Sequence, residues 1–509
     1  MSIDVESRVV DSGQSRLEEL GYKQELRRTF GFRSSCCASI TVMSCITSIS
    51  ASLSMAYKDG YPVASVWGWV AVSFANLLLG TAMAELLSAY PICGGPYLWC
   101  LELTDNGPKW ALVGWLTGWF NVVGQFAMTA ANAYITAKTL TLVWLLAGGH
   151  VPTNSDIFLI YAVCLLFVGM AASLPTDAMQ IFAVSSGAFL VASGAFIITV
   201  LPMLAPKMQP ASFVFFGATD GTSATAPSNT YLFLLALPMA NFAYISPLTP
   251  MQFSEETRRA DTTAPQAVIW SIAASAVLGM GFLLSVLFCI QDPSTVLSGQ
   301  ADGNIVGQVF HDVFLGRFGT PVGGIVLLGV LLVMCINSTV ISMVTNARAF
   351  WAFSREGAIP LHRVWSAVNA CTGTPVNAVW AMTAAAFLMG LPILASPDAL
   401  GCNATAIAIV CLDISYCVPL LLRVVYHSNF EPGPFNLTRL QPFLNIAAFS
   451  FTTVIAVIFL LPMGIPVTQT TSNWTPLALV LTATVAVTIW YLPGIVLHLI
   501  ICLRRIELN

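Results

Sequence analysis

Residues Ala82–Trp99 read AMAELLSAYPICGGPYLW. The stretch follows an apolar run, Val66 to Leu79, and sets one acid, Glu85, inside an otherwise apolar helix. Tyr90-Pro91 ends that helix, and Gly94-Gly95-Pro96 turns the chain back toward a second apolar span. Hydrocarbon offers no partner to a free backbone N–H or C=O, so Pro and Gly at this depth require protein or water packed against them. An acid there is costly unless it is paired or functional.

Composition agrees with a membrane setting. Of 509 residues, 57% are hydrophobic and only 9% charged, against about 25% charged in soluble proteins. A window of about 19 residues finds some twelve apolar spans, near 38–57, 63–90, 110–137, 156–174, 178–204, 230–252, 266–290, 321–349, 376–394, 402–424, 443–463 and 476–502. Each is close to the roughly 20 residues that cross about 30 Å of hydrocarbon. The expected fold class is an all-α polytopic membrane protein. Residues 1–36 are polar, with both charge signs and no short apolar core before a small-residue cleavage site. They are expected to form a cytosolic tail carrying a short surface helix within Arg16 to Phe30, ahead of a core over 37–503 and a cytosolic C-terminus over 504–509.

Charge sets the expected topology. With an even number of spans and the N-terminus inside, sixteen of the twenty Lys and Arg fall on the cytosolic side, and Lys58, Lys138, Lys207 and Arg317 on the other. The basic residues thus serve topology, and neither they nor the net charge of −4 points to nucleic acid. The 13 cysteines are scattered without CxxC or His/Cys ligand spacings, so no metal and no disulfide framework is expected. Of four Asn-x-Ser/Thr triplets, Asn337 falls in a span and Asn436 inside, while Asn403 and Asn473 sit too near the membrane to favour glycosylation.

Two spans carry breaks in matching positions. The first has a small, polar centre, Ser44-Cys45-Ile46-Thr47-Ser48-Ile49-Ser50, and the sixth has Pro238, Pro247 and Pro250 around Asn241-Phe242-Ala243-Tyr244-Ile245-Ser246. An interior proline costs about 3 kcal/mol if uncompensated. Interrupted segments at corresponding places in two halves are the mark of a transporter built from inverted repeats, and they point to its substrate site. For the serines of the first span, hydroxyls bonding back to their own backbone are an equally economical reading.

The opening stretch resembles the end of the second helix in amino-acid/polyamine/organocation (APC) permeases, and other blocks resemble the amino acid/choline/GABA permeases of fungi, plants and algae. These are Leu20–Leu26, Gly118–Gln125, Ser254–Asp261 with Pro265, Ala352–Pro360, Thr374–Ala378, Pro432–Phe435 and Pro462–Thr468, in family order along nearly the whole chain. The resemblance implies a LeuT-type fold: inverted five-helix repeats over about 38–204 and 230–424, plus two extra helices near 443–463 and 476–502. It also implies secondary transport of a small amine-bearing solute. The chain departs from the family in having Ser48 where glycine is usual, and Ser246-Pro247-Leu248 where relatives often read Gly-Tyr-Asp.

Candidate residues follow. Half-helix N-termini present free N–H groups and a favourable dipole to a carboxylate, so Ser44, Cys45, Ile46, Thr47 and Ser48, with Asn241, Phe242, Tyr244 and Ser246, are expected to line the site. Phe242 and Tyr244 suit an aliphatic chain or an ammonium, or simple packing. Gln125 and Asn337 are further midplane candidates. Asp413, in the middle of the tenth span, is a candidate for the substrate amine or a coupling proton, or else a protonated structural acid. Glu85 is expected to be structural or gating. Glu255, Glu256 and Arg355, with Arg348, suit an inner gate or merely a basic cytosolic loop. The leading function is a permease for amino acids or GABA; choline or a polyamine is the alternative, as is a transport-poor sensor, which the short termini disfavour. No nucleotide loop, paired acids at catalytic spacing or His-rich motif suggests an enzyme or cofactor, and no charged ring suggests a channel.

Overall fold

The computed structural model describes residues 11–105, 107–217, 229–437, 440–461 and 473–491. The Pro462–Thr468 block, the 504–509 terminus, Arg8, Arg439, Arg504, Arg505 and the end of the last expected span lie outside these. Among the described residues the regular structure is helical, with one isolated parallel bridge between Phe30 and Thr257.

The helices are α1 (Ser12–Glu19), α2 (Phe32–Met43), α3 (Cys45–Ala89), α4 (Pro96–Leu103), α5 (Pro108–Leu146), α6 (Asn154–Ala172), α7 (Thr176–Leu204), α8 (Ala211–Phe216) and α9 (Asn229–Phe242). After them come α10 (Thr249–Gln252), α11 (Ala260–Phe288), α12 (Ile305–Phe318), α13 (Val322–Arg355), α14 (His362–Trp365), α15 (Val376–Gly390), α16 (Pro397–Val425), α17 (Gln441–Leu460) and α18 (Thr475–Trp490). Among the described residues, nine stretches are long and apolar enough to cross a membrane. Their outer faces are unsuited to water: Leu159, Val163, Leu166, Phe167 and Met170 all stand exposed along α6 alone. Contiguous apolar surface on this scale marks a lipid contact.

Between helices the packing rests on small and polar residues, because lipid removes the hydrophobic drive for helices to associate. A Cβ on Gly187 would lie 2.6 Å from that of Cys37, and one on Gly118 would lie 2.2 Å from the Phe353 ring, so α7 meets α2, and α5 meets α13, at glycine. Along α5 and α13 runs a polar ladder: Thr136 to Thr339 (2.9 Å), Asn132 to Ser342 (3.0 Å) and Thr129 to Asn346 (2.8 Å). Each such bond contributes about 0.6 kcal/mol, and together they fix the register of the two helices.

One expectation about the ends needs correction. The tail helix α1 begins before the expected Arg16–Phe30 segment and shares only Arg16–Glu19 with it, because Gly21 takes φ 80° and ends it. Residues 22–31 then run along the 253–261 loop as an extended strap. The Asn403 and Asn473 amides are committed to structure: Asn403 Oδ1 accepts from the Trp474 N–H at 2.7 Å, and Asn473 Nδ2 donates to the Phe459 carbonyl at 2.6 Å.

The turn read first in the sequence leaves no room for a side chain at Gly95. Gly95 adopts φ 44°, and a Cβ there would lie 2.0 Å from Met251 Sδ. A side chain at such φ costs about 1–3 kcal/mol before any collision. Gly95→Ala should therefore lower the melting temperature of the detergent-solubilised protein. Adding Met251→Ala should recover only part of the loss, since it relieves the collision and not the backbone strain. Full recovery would show that the backbone conformation costs nothing.

Candidate functional site

The first span breaks at one residue. Ser44 turns left-handed, φ 36° and ψ 57°, between α2 and α3. A non-glycine residue there costs roughly 1–2 kcal/mol, and neighbouring hydroxyls offset it by satisfying the released carbonyls. Ser338 Oγ of α13 donates to the Val42 carbonyl (3.3 Å) and Ser48 Oγ to the Met43 carbonyl (3.2 Å). Thr47 Oγ1 lies 3.0 Å from the Ser44 carbonyl and 2.7 Å from its Oγ. The break is thus narrower than the Ser44–Ser50 stretch, and Ser48 and Ser50 are already helical. Cys45, Ile46 and Thr47 begin α3, where the first N–H groups have no intrahelical acceptor.

The sixth expected span separates into α9 and the four-residue α10, with Ala243–Leu248 unwound between them. Pro247 cannot donate and Pro250 sits in the first turn of α10, so both prolines stand where the chain needs no donor. Ser246 is buried, its carbonyl accepting from Thr249 Oγ1 at 3.0 Å. Asn241 Oδ1 accepts from Asn76 Nδ2 at 3.2 Å. Tyr244 turns toward α3: its hydroxyl lies 2.8 Å from Ser73 Oγ and its ring 5.5 Å from that of Trp69.

A cavity of about 400 Å³ opens between these broken helices and α5 at the end of the molecule away from the tail. Ser50, Ser54, Tyr134, Lys138, Phe242 and Thr405 are among the residues on its walls. Of the residues expected to line a site, Phe242 is the one that reaches this cavity; the Ser44 break lies about 9 Å deeper along the helix axis from Ser50, by six residues of helical rise.

The opposite end is closed by charge. Arg355 donates to both oxygens of Glu255 (2.9 and 3.0 Å), and Arg348 pairs with Glu256, all four side chains being buried or nearly so. The Cys93 N–H of the glycine turn donates to Glu255 Oε1 at 3.2 Å. The Arg355 guanidinium lies 4.8 Å from the Tyr22 ring centroid and 4.6 Å from that of Trp351. Burial pushes the Glu256 carboxyl above its ordinary range, and the Arg348 charge works against that rise. The strap adds a layer: Phe30 exchanges backbone bonds with Glu256 and Arg258 (both 2.9 Å), stacks on Phe253 at 4.4 Å, and Gln24 Nε2 donates to the Glu255 carbonyl at 2.8 Å.

The remaining candidates scatter. Glu85 Oε1 accepts from the Leu437 N–H (3.4 Å) and lies 3.7 Å from Arg423 Nη2, a cation the sequence reading did not supply. Gln125 lies on the α5 face toward α13, where its carbonyl accepts from Asn346 Nδ2 at 3.2 Å, and its own amide has no partner. Asn337 is half-buried one turn from the exposed Val333. Asp413 Oδ2 and the Tyr416 hydroxyl one turn on are buried without hydrogen-bond partners. Next to Tyr416, and one turn from Asp413, Cys417 Sγ lies 3.9 Å from Thr453 of α17, so this stripe of α16 looks toward α17.

A profile of the amino acid permease family matches residues 30–485, which spans both breaks, the cavity and the charged closure. The chain belongs to the amino acid permease family. Among relatives it is 33% identical to the amino-acid permease BAT1 of Arabidopsis thaliana over 95% of this chain and 94% of that one. Identity is also 33% to a rice homologue of that permease, over 92% and 91% of the two chains. To a choline transporter of Saccharomyces cerevisiae it is 28% over 88% and 78%. In this permease, sequence reasoning missed the strap, Arg423 and the cavity walls. Of these, only Arg423 carried a signal, as a cation in the last turn of an apolar span that needs an acid nearby.

Removing one partner of a fully buried pair leaves an uncompensated charge, at about 3–5 kcal/mol. Arg348→Met should therefore sharply reduce the yield of monodisperse protein on size exclusion, and Arg348→Met combined with Glu256→Met should restore most of it. Equal loss in single and double variants would mean that the pair is not the source of the effect.

Proposed function

We propose that this permease is a secondary transporter that carries an amino acid or a related amine such as GABA by alternating access, and that the conformation described is outward-facing. The cavity carries the reading: it opens at one end while paired charges and the strap close the other. The positive-inside rule assigns the closed, tail-bearing end to the cytosol. Among the described residues, α5, the α9–α10 pair and α18 join the nine apolar stretches as further candidate spans, in line with two inverted five-helix repeats and two extra helices. The matched breaks at Ser44 and Ala243–Leu248 support that symmetry.

The substrate carboxylate meets the N–H groups of Cys45, Ile46 and Thr47 at the start of α3, where the helix dipole favours an anion. Phe242, on the cavity wall, covers the aliphatic part of the solute. Arg355–Glu255 and Arg348–Glu256 form the inner gate, which must part for release. Asp413 carries a coupling proton and does not hold the amine, because its stripe of α16 turns toward α17 while Gly401 and Thr405 face the cavity. The choline transporter relative and the aromatic Tyr134 and Phe459 on the cavity wall favour choline as a second substrate class.

Uptake of labelled amino acids, GABA, choline and spermidine into proteoliposomes, with and without an inward proton gradient, tests the reading. Gradient-stimulated uptake of an amino acid or GABA is expected, and uptake of none of the four would contradict transport. Asp413→Asn should remove gradient stimulation while leaving solute exchange within about twofold of wild type, since exchange needs no change in proton occupancy. Unaltered stimulation would return Asp413 to a structural role, and lost exchange would make it a substrate ligand.

A further inference from the structure

Arg355 has two sets of partners, and only one set can leave it. Glu255 and Tyr22 stand across the gate. The Glu255 carboxylate takes both terminal nitrogens of the guanidinium (2.9 and 3.0 Å), and the Tyr22 ring of the strap is centred 4.8 Å from it. Trp351 and Glu356 belong to α13, with Arg355 itself. The Trp351 ring lies one turn back at 4.6 Å, and Glu356 is the residue that caps the helix C-terminus. Glu356 Oε1 lies 3.8 Å from Arg355 Nε, with both side chains no more than 15% exposed. That separation is just beyond hydrogen-bonding reach, and among the described residues both atoms are buried without a hydrogen-bond partner. An unsatisfied donor and an unsatisfied acceptor are therefore neighbours at the closed gate. The other claim on the Glu356 carboxylate comes from the strap, whose Tyr22 hydroxyl hydrogen-bonds it.

We infer that Glu356 is a standby counter-charge for the inner gate: as the gate parts, Arg355 exchanges Glu255 for Glu356 and so keeps a paired charge throughout the cycle. This inference rests on the transport reading above and adds a positioning residue to its gate. A guanidinium buried to this degree is strongly destabilised when it loses its carboxylate, and opening would stall on that cost. Exchange removes the obstacle, because the second carboxylate rides on the same helix as the arginine. Departure of the strap withdraws the Tyr22 hydroxyl and releases Glu356 to Arg355. Burial pushes the Glu356 carboxyl above its ordinary range while the Arg355 charge works against that rise, so a shorter contact favours the ionised form. Arg348 keeps a lesser partner in the same way, since its Nη1 donates to the Val344 carbonyl of α13 at 2.9 Å.

Two comparisons on the full-length protein test the exchange. The first is the melting temperature of detergent-solubilised protein. Glu356→Gln and Glu255→Gln should each lower it slightly, because the remaining acid serves Arg355, and the double variant should lower it by more than about twice the sum of the single shifts. Additive shifts, or a Glu356→Gln that alone is as unstable as the double variant or fails to fold, would overturn the exchange. The second is tail-side labelling of Thr257→Cys, in a Cys371→Ser background in vesicles, by a membrane-impermeant maleimide. Glu356→Gln should leave the slow rate without solute unchanged and cut the rate with saturating GABA by at least about fivefold, whereas Glu356→Asp should keep most of it. Equal GABA-stimulated rates in the parent and Glu356→Gln would also overturn the exchange. A parent whose labelling GABA leaves unchanged counts against the transport reading, and the melting comparison then decides the exchange by itself.

Discussion

The structure depends on two adjacent carboxylates, Glu255 and Glu256, being buried among cations. Both side chains are fully enclosed, and desolvating a carboxylate costs several kcal/mol before any pairing. Arg355 and Arg348, seven residues apart on α13, offset that cost, so the loop after α10 can rest nowhere but on that helix. The same loop receives the Cys93 N–H from the glycine turn after α3 and the backbone of Phe30 from the tail. Three remote stretches of chain therefore meet at one charged knot, and that knot closes the tail end of the molecule while the other end stays open. Buried ion pairs are poor sources of net stability but good sources of a defined arrangement.

The fold was legible in the sequence to the extent that lipid constrains it. The all-helical membrane class and the two breaks could be read because hydrocarbon forbids unpaired backbone and because prolines at 247 and 250 exclude a continuous helix. The break in the first span was placed too broadly. Ser44 through Ser50 are all small or helix-tolerant, and what singles out Ser44 is the Ser338 hydroxyl reaching the Val42 carbonyl from α13, a contact that no local pattern encodes. The tail was misread for a related reason: residues 22–31 suit a helix in isolation, and backbone pairing with Glu256 and Arg258 draws them into an extended strap.

Side-chain directions around the breaks were not legible in the sequence. Tyr244 was expected at the substrate and turns to Ser73, since the unwound segment decides its direction and not helical periodicity. Gln125 joins the α5–α13 ladder through its backbone carbonyl while its amide is buried without a partner, and Asn337 sits on a face shared with exposed Val333. The charged residues fared differently. Arg348, Arg355, Glu255 and Glu256 do meet, because few partners exist for charges at this depth and topology had already gathered them at one end. The cavity wall, made from α5, the start of α3 and the loop before α12, combines segments whose proximity only the tertiary structure reveals.

Alternation between the two ends is the central claim, and cysteine accessibility measures it directly. In a Cys371→Ser background, Ser54→Cys lies on the open cavity and Thr257→Cys lies buried under the strap. With a membrane-impermeant maleimide and vesicles of each orientation, Ser54→Cys should label from the far side and Thr257→Cys should stay unlabelled from the tail side. Saturating substrate from the probe panel should slow the first and speed the second. Labelling of Thr257→Cys at full rate without substrate, or two rates that substrate leaves unchanged, would contradict the account.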